Sequence, residues 1–178
     1  MTAAGELWFS WPGRFLAVVL PTLTAVCLVI LANTPVSFTG YLLPAPVLAL
    51  AAVYFWVLVR PDLMPPLAVL AIGSLEDLLS GGPPGLWAAG FLAAYVLTDR
   101  QRETFAGLTG LGAVVAFAGV MLLAGSTAYG LACVVSMRWA PLPPLLLECV
   151  TTVAFYPLVV RPMGWVQRKF VGSLRNGA

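Results

Sequence analysis

At 178 residues, 61% of them apolar and 9% charged, with a mean hydropathy of +0.97, the chain lies outside the composition of soluble domains, which are roughly half apolar and a quarter charged. A net charge of +2 is too small for a nucleic-acid surface, and the absence of histidine removes the commonest general base and metal ligand. The three cysteines, Cys27, Cys133 and Cys149, each sit in an apolar run and read as packed small side chains rather than a disulfide framework.

Six membrane spans fit the length. The first apolar run, residues 15–32, follows Arg14 and has no small-x-small cleavage site before Asn33-Thr34-Pro35, so it reads as a retained helix. A proline-marked connection leads into a second span, 41–59, ending before Arg60-Pro61-Asp62, with Tyr54 and Trp56 expected at a membrane–water interface. The third, 65–80, opens on Pro65-Pro66, where first-turn amides have no intrahelical partner to lose. Gly81-Gly82-Pro83-Pro84-Gly85 breaks it, and the fourth, 84–98, stops at the charge cluster Asp99-Arg100-Gln101-Arg102-Glu103. From 105 to 137 runs an apolar stretch too long for one upright span. It reads as a tilted fifth helix over 105–125 with a short continuation, and Gly125-Ser126 and Gly130 are the expected break points. A sixth span over 143–160 precedes a basic tail, 161–178.

Six spans place both termini on one face. That face would hold Arg14, Arg60, Arg100, Arg102, Arg161, Arg168, Lys169 and Arg175, and the other only Arg138, so the positive-inside rule makes the terminal face cytoplasmic. The expected fold is therefore a single all-α, six-helix polytopic membrane domain with cytoplasmic N and C termini.

Three acids fall within the expected spans: Glu76 and Asp77 near the end of the third helix, and Glu148 near the start of the sixth. Each would cost roughly 2.5–3.5 kcal/mol at mid-membrane on insertion scales, so they should face protein or water. Asp77 and Glu148 both lie about 6 Å inside the non-cytoplasmic end, at 1.5 Å per residue. Arg138 is the basic residue on that side and the nearest countercharge. For Glu76 the plain alternative is that its side chain reaches the interface. For Asp77 it is a cap on fourth-helix amides, whose dipole favours an anion, in place of a binding role. The fourth apolar run holds only 13 residues, Leu86 to Thr98, so the glycine-rich turn is expected below the membrane surface, buried in protein or facing a wet cavity. Gly107, Gly110, Gly112, Gly119, Gly125 and Gly130 offer close helix approach, with Gly112 and Gly119 the candidates for packing a partner's transmembrane helix.

From Pro46 to Arg102 the chain resembles the rod shape-determining protein MreD family of the bacterial inner membrane. The resemblance rests on Phe55-Trp56 followed by Pro61, on Gly73-Ser74-Leu75-Glu76-Asp77-Leu78-Leu79-Ser80-Gly81, on Gly85, and on Tyr95 before the basic loop. Gly73, Asp77, Gly81 and Gly85, at four-residue steps, are its most specific part, and the last helix with Pro157 and its basic tail is similar to the family's C-terminal end. Glu76 departs from the pattern by adding an acid where an apolar residue is expected, and Pro83-Pro84 stiffens the turn.

The resemblance implies a fold similar to the substrate-binding subunits of energy-coupling-factor transporters. It also implies a non-catalytic role in the cell-elongation complex: binding the bitopic protein MreC and, through it, acting with lateral-wall peptidoglycan synthases and the MreB filament. Membrane lipids are the other expected contacts, and no nucleic acid, cofactor, metal or catalytic residue is expected. The alternative is a small-molecule-binding membrane subunit of a transporter, suggested by the acids and the broken backbone. An enzyme built on paired carboxylates lacks the rest of its machinery.

Overall fold

The computed structural model describes residues 10–34 and 45–167, and these residues form helices and connections without a strand. Seven α-helices follow in order: α1 Ser10–Asn33, α2 Leu48–Val59, α3 Pro66–Ser80, α4 Leu86–Arg100, the short α5 Arg102–Ala106, α6 Leu111–Ser136 and α7 Leu142–Val166. A 3-10 turn, Pro61–Leu63, joins α2 to α3.

The apolar pattern of α2 runs all round the helix, and such a helix belongs in the interior. Ala49 to Tyr54, Trp56 and Val57 are all buried, with α1, α4 and α7 packed around them. Tyr54 and Trp56 are thus core residues, not interfacial ones. The ring of Tyr54 lies 5.3 Å from Phe117 and 5.9 Å from Tyr156, and Phe117 stacks on Tyr156 at 4.4 Å. The Trp56 indole finds its hydrogen-bond acceptor in Thr24 Oγ1, 2.9 Å away, while the Thr24 hydroxyl donates to the Pro21 carbonyl. An indole so partnered has no need of the interface.

The α2 helix starts at Leu48, seven residues later than the 41–59 span expected; residues 45–47 are not helical, and 41–44 lie outside the described residues. Its entry is tied across the bundle, where the Val47 amide donates to Thr152 Oγ1 at 2.9 Å and the Thr152 hydroxyl donates to the Glu148 carbonyl. At the opposite end Arg60 pairs with Asp62 at 3.0 Å, and the guanidinium bonded to it holds the Asp62 carboxyl below the usual range.

The break expected within the long apolar stretch falls elsewhere. Residues 111–136 form one helix through Gly125-Ser126 and Gly130, while the chain breaks at Gly107–Gly110, where Gly110 takes φ 58°, a conformation costly for other residues. Ser126 and Thr127 donate their hydroxyls to the Leu123 carbonyl, a bond that leaves the helix continuous. The α7 helix likewise outruns its expected end at Val160, passing Arg161 and Pro162 to reach Val166. Pro162 removes one amide hydrogen bond from this helix, although its fixed φ is compatible with helical backbone.

Both α6 and α7 are long and apolar enough to cross a membrane. Their outer faces present Val115, Leu122, Val134, Leu146, Val150 and Leu158 uncovered. An apolar surface of that extent marks contact with lipid or with another protein.

Candidate functional site

Every residue of the Gly73, Asp77, Gly81 and Gly85 series has a local physical reason. Spaced by four, Gly73 and Asp77 lie on one face of α3, and that face meets α4. A Cβ on Gly73 would stand 2.7 Å from the Ala88 Cα and 3.1 Å from the Trp87 carbonyl oxygen, so the two backbones touch where only hydrogen fits. Gly81 ends α3 in the left-handed region (φ 70°), and Gly85 starts α4 at φ 97°.

Gly85 occupies the N-cap of α4 and has no side chain to cap it, so Asp77 reaches across from α3 to do so. Its Oδ2 accepts from the Gly85 amide at 2.8 Å and the Ala88 amide at 3.1 Å, and its Oδ1 from the Trp87 amide at 2.8 Å. At 2% exposure, Asp77 is a buried anion whose charge is met by three donors and the positive end of the α4 dipole. The turn itself, 81–85, is exposed.

Arg138 plays no part in this. Its side chain is exposed in the α6–α7 connection, and the ion pair present among the described residues is Arg60–Asp62. The Arg138 countercharge is therefore replaced by amides. Three N–H donors balance the carboxylate without burying a guanidinium, whose desolvation would cost several kcal/mol.

The other two acids form a second locus at the same end of the bundle. Glu76 is 3% exposed and does not reach the interface. Its Oε1 accepts from Asn33 Nδ2 at 2.9 Å, joining the end of α3 to the end of α1, and Asn33 Nδ2 also donates to the Val29 carbonyl at 3.0 Å. Glu76 Oε2 is buried without a hydrogen-bond partner among the described residues. Glu148, half-buried on the first turns of α7, lies close enough for the Glu76 charge to act on it. No group of three or more His, Cys, Asp or Glu suited to a metal occurs among the described residues.

The glycines of α6 divide. Gly119 and Gly130 face open space, Gly112 lies against the Leu108 side chain, and a Cβ on Gly125 would meet Cys149 Sγ at 3.0 Å. Of the cysteines, Cys149 is buried as expected, Cys133 half-buried and Cys27 exposed.

Asn33, Thr152 and Gly90 go unsignalled in the sequence reading. A Cβ on Gly90 would come within 2.9 Å of the Ala124 carbonyl oxygen, making it the contact point of α4 with α6. Asn33 is visible only as a polar stop after an apolar run; its pairing with Glu76 spans 43 positions. Comparison with known protein families, with curated proteins and with solved structures finds no match to this chain.

Proposed function

We propose that this chain is a multi-pass protein of the bacterial inner membrane, a non-catalytic component of the cell-elongation complex that binds MreC and helps maintain rod shape by organising peptidoglycan synthesis. The observation that carries the reading is the Asp77 clamp. Gly73, Asp77, Gly81 and Gly85, the residues on which the resemblance to the MreD family rests, act together in one α3–α4 junction.

Six crossings by α1, α2, α3, α4, α6 and α7, with both termini cytoplasmic, are supported by the arginines. Exposed Arg100, Arg102 and Arg161, with Arg60, lie toward one end of the helices, and Arg138 toward the other. α2, α3 and α4, at about 18–23 Å, are shorter than the bilayer core, and shorter elements are tolerated where they pack inside protein.

The docking surface we assign to the single transmembrane helix of MreC is the face of α6 that carries Gly112, beside Leu108, and the open Gly119. Gly119 has nothing within 4 Å of its Cβ position, so a partner backbone has room to approach. The alternative, a small-molecule-binding subunit of a transporter, draws on the unpartnered Glu76 Oε2.

Depletion of the chain in its rod-shaped host tests the proposal. Cells should round and be restored by the wild-type chain but not by a folded variant blocked at Gly119. Rods that persist without the chain would refute it.

A further inference from the structure

Glu76 brings a negative charge to the ends of α1 and α3, where the groups around it give it little to balance. One of its oxygens has a single amide donor, and the other, Oε2, is buried with no partner among the described residues. Beyond the Asn33 amide, the charged neighbours make matters worse. Glu148 on α7 and Asp77 on its own helix carry the same charge, and Asp77 already spends both oxygens on α4 amides. The terminal carbonyls of α1 and α3 add the negative ends of two helix dipoles. No arginine or lysine pairs with Glu76 or Glu148 among the described residues. A carboxylate left so in a dry interior is strongly unfavourable unless it takes up a proton, is paired, or coordinates a cation.

We infer that Glu76 Oε2, Asn33 Oδ1 and the carbonyl end of α1 bind one monovalent metal cation of the Na+ class. Asn33 suits this because its amide nitrogen is occupied twice, by the Val29 carbonyl and by Glu76 Oε1, which fixes the group and leaves its oxygen to accept a cation. An all-oxygen donor set at helix C-terminal ends is the kind that coordinates Na+ within membrane proteins. A single positive charge matches the one buried carboxylate oxygen left without a partner among the described residues. Glu148 is half-buried, and its charge is shared with water, so its part is to deepen the negative potential at the mouth of the site. The ion then braces the junction of α1 and α3, whose ends the Asn33–Glu76 hydrogen bond already joins.

The test uses the full chain purified in detergent, with Na+ as the probe and choline replacing it at constant ionic strength. In the wild type the thermal unfolding midpoint should rise with the logarithm of Na+ concentration, as for any ligand bound by the folded state alone. E76Q, which removes the charge and keeps the shape, should unfold at a midpoint independent of Na+. E148Q should keep the dependence with a several-fold weaker half-saturation. Direct binding of radioactive Na+ to the wild type, displaced by unlabelled Na+ and not by choline, gives the same answer should E76Q not fold. A midpoint and a radioactive count indifferent to Na+, or a Na+ effect retained in E76Q, would overturn the inference.

Discussion

Gly73 and Ala88 stand so close that a Cβ on the glycine would lie 2.7 Å from the alanine Cα, and this contact sets how α3 and α4 pack beside the capped turn. Gly73→Ala should therefore destabilise the fold, because the obstacle is backbone and cannot swing aside as a flexible side chain would. Gly119→Leu, by contrast, points into open space and should leave the unfolding midpoint close to that of the wild type while weakening partner association. Thermal unfolding in detergent and co-purification, measured on both variants, check the pair. Equal destabilisation by the two substitutions would contradict it.

Asp77→Ala removes the acceptor for three amides and should cost about 1–3 kcal/mol, seen as a lowered unfolding midpoint and reduced membrane abundance. Asp77→Asn should be milder. Asn keeps one acceptor oxygen, which suits the Oδ2 position with its two bonds, and loses the Oδ1 bond to Trp87. Since Arg138 is not the partner, Arg138→Ala should leave both properties unchanged. An arginine variant as damaging as Asp77→Ala would show that the charge pair matters after all.

Thr152→Val keeps the volume and deletes the hydroxyl that receives the Val47 amide. The buried N–H at the entry to α2 is then unsatisfied, at about 1–3 kcal/mol. Thr152→Ser retains the acceptor and should recover most of that loss. Chemical or thermal unfolding of the two variants side by side makes the comparison.

How much of this was readable beforehand follows from the range of the forces involved. The helices were legible because apolar runs and proline or glycine punctuation are local, and the Asp77 cap was legible as one of two roles because its partners lie only 8 to 11 positions away. The continuity of α6 was not. Glycine is an interruption only when the environment lets the backbone leave the helix, and Gly125 is held against α7 by its contact with Cys149. The burial of Tyr54 and Trp56 was also hidden. An amphipathic ring suits an interface equally well, and the Thr24 hydroxyl that satisfies the indole is 32 positions distant. Asn33 with Glu76 and Val47 with Thr152 belong to the same class, polar pairs across 43 and 105 positions that no periodicity announces.

The proposed orientation rests on charge. A reporter fused after Ala178 and another inserted near Gln101 should both be active in the cytoplasm, since the arginines cluster at that end. A periplasmic signal from either position would break the six-crossing arrangement.

The most direct measurement of the proposed role is to purify the tagged chain from native membranes under mild detergent and identify what accompanies it. The account predicts MreC and, with it, lateral-wall peptidoglycan synthases, with recovery of MreC falling when Gly119→Leu occupies the open face of α6. A transporter ATPase module in their place, with MreC absent, would contradict it.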